Sequence, residues 1–77
     1  MEELIGFAAS NHKASKILAV LDSKGPLDSN TIAKTTRIVG ADKTIEELVG
    51  KELIKNVSGK FTLTELGTTV SHKLRGV

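Results

Sequence analysis

Cysteine is absent from the 77-residue chain. Its absence excludes a disulfide framework, a thiolate zinc site and a thiol nucleophile. Small secreted domains lean on disulfide staples, so a reducing cytoplasm is the expected setting. Tryptophan and tyrosine are missing too, and Phe7 and Phe61 are the only aromatic residues. The core must therefore come from leucine, isoleucine and valine, and no aromatic platform for stacking unpaired bases is evident. No apolar run approaches the roughly 18 residues of a membrane span. Met1-Glu2-Glu3 is acidic and leads into no long apolar stretch, unlike a signal peptide.

Catalytic patterns are also lacking. There is no Gly-rich phosphate loop, no nucleophile elbow and no Ser-His-Asp arrangement, so no enzyme is expected. His12 and His72 have no third ligand suggested near them in sequence, so neither a metal nor a cofactor is expected. Asn56-Val57-Ser58 matches a glycosylation acceptor, a chance match in a chain without a secretion signal.

What is present reads as one domain over residues 1–77, too short for two. A chain of this size buries only about 60% of its unfolded surface, so its stability margin is thin. The net charge of +2 permits nucleic-acid binding without demanding it.

Periodicity predicts helices and one hairpin. Glu2 to Ser10 carries Leu4, Phe7 and Ala8 at helical spacing, with acids in the first turn. Asn11 either caps a new helix or interrupts one long helix. Ala14, Ile17, Leu18 and Leu21 form an apolar stripe on a helix from His12 to Ser23. Lys24-Gly25-Pro26 stops it. Leu27 suits a short extended stretch, and Asp28 suits the N-cap of a helix over Ser29 to Thr36, with Ile32 and Ala33 inward. Arg37 to Gly40 reads as a turn. Gly40 or Asp42 then opens a helix whose inward stripe is Ile45, Leu48 and Val49. After Lys51 the period changes: residues 53–57 and 60–63 read as strands around a Ser58-Gly59 turn. Thr64 caps a last helix with the stripe Leu66, Val70 and Leu74. A lone hairpin is marginal in water, so it must pack on the helices, giving an α+β domain that is mainly helical.

Four segments in this order resemble the winged helix-turn-helix family of small archaeal and bacterial transcription regulators. Ser15-Lys16-Ile17-Leu18-Ala19-Val20-Leu21 is similar to the family's first core helix. Gly25-Pro26-Leu27-Asp28 with Thr31-Ile32-Ala33-Lys34 is similar to its linker and second helix. Glu47-Leu48-Val49-Gly50-Lys51-Glu52-Leu53-Ile54 is similar to the end of the recognition helix and the first wing strand. Lys60-Phe61-Thr62-Leu63-Thr64-Glu65-Leu66-Gly67 is similar to the second wing strand and the following helix start. The likeness spans residues 12–75 and leaves 1–11 as an N-terminal helical extension. There are two departures. Glu52 stands where family members commonly carry glycine, and the turn between Thr36 and Asp42 looks a residue or two longer than a tight helix-turn-helix.

The resemblance implies binding of double-stranded DNA as a transcriptional regulator. The third core helix would enter the major groove and the wing would reach phosphates or the minor groove. The implied contacts are Ser29, Asn30, Lys34 and Arg37 before that helix, Lys43, Thr44, Glu47 and Lys51 on it, and Lys55, Asn56, Ser58 and Lys60 on the wing. Each group also has a plainer reading. Lys43 and Glu47, four apart, can simply pair on a solvated face. Exposed strand lysines also protect an edge from aggregation. From Asp28 to Lys51 four cations meet four acids, a neutral footprint for a phosphate ligand. That neutrality, with the acidic Glu46-Glu47 pair, keeps a protein-interaction module as the competing reading. A homodimer is expected to form through Leu4, Ile5 and Phe7 or through the C-terminal helix; the alternative is that both helices cap their own core.

Overall fold

Asn11 separates two helices rather than interrupting one. The computed structural model describes residues 2–75; residues 1, 76 and 77 of the expected domain lie outside the described residues. Helix α1 (Glu2–Ser10) ends at Asn11, whose backbone is extended at φ −108°. The Ala14 N–H donates to Asn11 Oδ1 at 3.1 Å, capping α2 (His12–Lys24). α2 stops where Gly25 takes φ 81° and its N–H returns to the Leu21 carbonyl. Leu27 then joins the hairpin as an isolated bridge to Phe61. Asp28 caps α3 (Ser29–Thr36), accepting from the Thr31 N–H at 2.8 Å.

Four residues, Arg37 to Gly40, connect α3 to α4 (Ala41–Gly50), the turn read from the sequence; Gly40 rather than Asp42 opens α4, so the turn does not extend to Asp42. Beyond α4, strands β1 (Ile54–Val57) and β2 (Lys60–Leu63) pair antiparallel, with Val57 opposite Lys60. Ser58 and Gly59 both have positive φ, 54° and 86°, which is the primed turn that suits strand twist. The Gly59 N–H donates to Asn56 Oδ1, closing that turn from the side chain. Thr64 links the hairpin to α5 (Glu65–Arg75). Its hydroxyl donates to the Glu52 carbonyl at 2.6 Å and accepts from the Gly67 N–H at 2.9 Å.

The fold is α+β and mainly helical: five helices and one two-stranded hairpin among the described residues. Ile17, Leu18 and Leu21 of α2 form the centre of the core. Ile32, Ile45, Leu48, Leu53, Ile54 and Val70 are buried with them. Leu66 and Leu74 are half-buried against that core, as the α5 stripe predicts, and Ala33 is half-buried on α3. Among the described residues no helix is long and apolar enough to cross a membrane.

The inward stripe of α4 differs from expectation, while that of α1 agrees with it. On α4 the buried residues are Ala41, Thr44, Ile45 and Leu48, while Val49 is 39% exposed. The helix is rotated so that Ala41 and Thr44, not Val49, complete the stripe. Thr44 was expected to be a DNA contact; at 5% exposure it cannot reach a ligand. On α1, Ala8 is fully buried and Leu4, Ile5 and Phe7 are half-buried against the core. α1 lies against α2 and α5, so it is an integral layer of the domain rather than an appendage.

Candidate nucleic-acid interface

The Leu27–Phe61 bridge brings the approach to α3 against the hairpin. It ties the approach to α3 onto β2, with N···O distances of 3.1 and 2.8 Å in the two directions. Asp28 and Lys60 flank that bridge in the chain. The Asp28 carboxyl is held below its ordinary range, first by its hydrogen bonds from Thr31, then by the nearby charges of Lys60 and Lys34. Lys34, in the last turn of α3, and Lys60, at the start of β2, therefore both act on the carboxylate that caps α3. Asn30 is exposed in the first turn of α3, and Ser29 is half-buried beside it.

The hairpin ladder extends this corner. Directly opposed residues share a sheet face. Lys55 with Thr62 and Val57 with Lys60 thus form one face, on which Lys55 and Lys60 are diagonal neighbours roughly 7–8 Å apart at Cα. The other face carries Ile54, Phe61 and Leu63 toward the core, together with Asn56. Ser58 is exposed at the tip. Asn56 has its side-chain oxygen taken by Gly59, which leaves only its amide NH2 to donate outward. Thr62 stands between the two lysines on this face, a donor that inspection of charge alone passes over.

The remaining expected contacts fall elsewhere. Lys51 places its ammonium 4.7 Å from the centre of the Phe7 ring, so it faces α1. That contact combines a cation with an electron-rich ring face. Lys43 and Glu47 are exposed on α4 and make no ion pair; among the described residues the ion pairs are those of His72 and Arg75 with Asp22. The exposed side of α4 carries Asp42, Glu46 and Glu47 against Lys43, a net negative face. Arg37 is exposed in the turn, in the left-handed region at φ 58°. Val39 beside it is 86% exposed, and its carbonyl accepts from Lys13 Nζ at 3.2 Å.

No protein-family model, no curated protein and no solved structure matches the chain.

Proposed function

We propose that this chain is a winged helix-turn-helix domain that binds double-stranded DNA, as a cytoplasmic transcription regulator. The element order supports the fold reading: α2, α3 and α4 as the three core helices, the hairpin as the wing, and a four-residue turn of helix-turn-helix length between α3 and α4. The observation that carries the DNA reading is that Lys55 and Lys60 share one hairpin face, with Lys60 and Lys34 both acting on the Asp28 carboxylate that caps α3. Phosphate neutralisation dominates affinity for DNA, and this corner is where cations gather. The wing then supplies most of the binding. α4 meets the major groove through Lys43, with Glu47 placed to accept from a cytosine amino group. The absence of cysteine supports the cytoplasmic setting.

Alanine substitution separates these roles. Lys55→Ala with Lys60→Ala lowers affinity for all duplexes alike, while Lys43→Ala changes sequence preference. Unchanged binding across both variants removes the assignment.

A second reading has its own support. The acidic side of α4 and the exposed Val39 suit a protein partner better than phosphate, so an interaction module without DNA binding is the competing proposal. No retention on duplex DNA at low salt decides in its favour.

A further inference from the structure

The hairpin has one covered edge and one open edge. On β2, Phe61 spends its backbone N–H and C=O on Leu27. Phe61 is also the ladder partner of Asn56. Antiparallel ladders alternate bonded and non-bonded pairs, so Asn56–Phe61 is a non-bonded pair. The backbone N–H and C=O of Asn56 consequently point away from β2, along the outer edge of β1. Beside that edge runs an open groove of about 450 Å3, with Val49, Ile54 and Leu66 as its aliphatic lining and Glu52, Glu65 and Lys55 as its charged lining. Val49 and Val57, two large hydrophobic residues left exposed, flank the same edge.

We propose that this edge docks an extended peptide segment of a partner protein, added to β1 as a further strand. The segment carries an aliphatic residue for the groove and a basic residue for Glu52 and Glu65. Strand addition gives affinity through main-chain bonds and selects sequence through alternate side chains. The charges choose among occupants. Two carboxylates against one lysine repel a nucleic-acid backbone and favour a basic peptide. A second copy of this chain fits poorly, because only Ile54 and Asn56 turn bonding groups outward. Pairing one with the other sets Lys55 against the second copy's Lys55, and pairing either with itself leaves a single bonded pair within the strand. The proposal rests on the edge of β1 and the two carboxylates rather than on the cationic hairpin face of the DNA reading, and Lys55 is the one residue the two share.

The test is selection of displayed random heptapeptides on the immobilised full chain, followed by titration of the enriched synthetic peptides into isotope-labelled protein. Alternating aliphatic sequences with Lys or Arg are expected. They should slow Asn56 amide exchange at least tenfold and shift Val49 and Leu66 resonances. Glu52→Gln with Glu65→Gln should weaken binding about fivefold while the amide spectrum stays native. No enrichment, enrichment of acidic peptides, or binding that leaves Asn56 exchange unchanged overturns the proposal. Protection of Asn56 that rises with protein concentration alone, or on adding duplex DNA, assigns the edge to those occupants and overturns it equally.

Discussion

Gly67 of α5 lies directly against the backbone carbonyl of Leu53, so close that a Cβ at position 67 would overlap the oxygen. The Leu53 carbonyl also accepts from the Thr64 N–H at 3.1 Å, which fixes the start of α5 over the entry to β1. The clash is with backbone and cannot be relieved by a rotamer change. Gly67→Ala is therefore expected to destabilise the domain by about 1–3 kcal/mol, even though alanine favours helices by about 1 kcal/mol. Urea denaturation measures this. A variant as stable as the parent would contradict the close approach.

Glu52 makes the opposite prediction. It sits at φ 61°, in the left-handed region where a side chain is strained, and its carbonyl accepts from the Thr64 hydroxyl. Glycine adopts this conformation without a Cβ penalty. Glu52→Gly is expected to raise stability by on the order of 1 kcal/mol. A lower urea midpoint would show that the strain is absent, or that the Glu52 side chain contributes more than the backbone costs.

The Asp28 cap gives a pH dependence of defined sign. Its carboxyl is depressed below the ordinary 3.8 by the Thr31 hydrogen bonds, with Lys60 and Lys34 assisting. The folded state thus binds the proton less readily than the unfolded state. The contribution is complete above the unfolded value and is lost as pH falls through the lower folded value. Asp28→Asn keeps a capping oxygen and removes the titration. Thermal melts between about pH 2 and 5 should show a shallower acid loss in Asp28→Asn than in the parent. Parallel acid profiles would remove Asp28 from the account.

Much of the fold was legible because its signals are local. Asn11, Asp28 and Thr64 are side-chain caps, Gly25-Pro26 is a stop, and Ser58-Gly59 is a primed turn; each acts within a few residues of itself. The face of α4 was harder to read. Ile45 and Leu48 fix most of the stripe, but both Val49 on one flank and Ala41 with Thr44 on the other complete it at helical spacing. Hydrophobicity favours Val49; packing chose the smaller pair, because α4 runs against both α2 and α3. The interface depended on contacts far apart in the chain. Lys60 comes to act on Asp28 because Leu27 bridges Phe61, and Lys51 turns away because Phe7 of α1 lies beneath it. No spacing rule within one element reports such pairings.

The most direct test of the central claim is the salt dependence of duplex DNA binding by the full chain, followed by fluorescence anisotropy. Each phosphate neutralised contributes about −0.9 to the slope of log affinity against log salt. With Lys34, Lys55 and Lys60 engaged, the expected slope is about −3, falling to about −1 in the Lys55→Ala, Lys60→Ala double variant. A slope near zero, or no binding at low salt, would contradict the account.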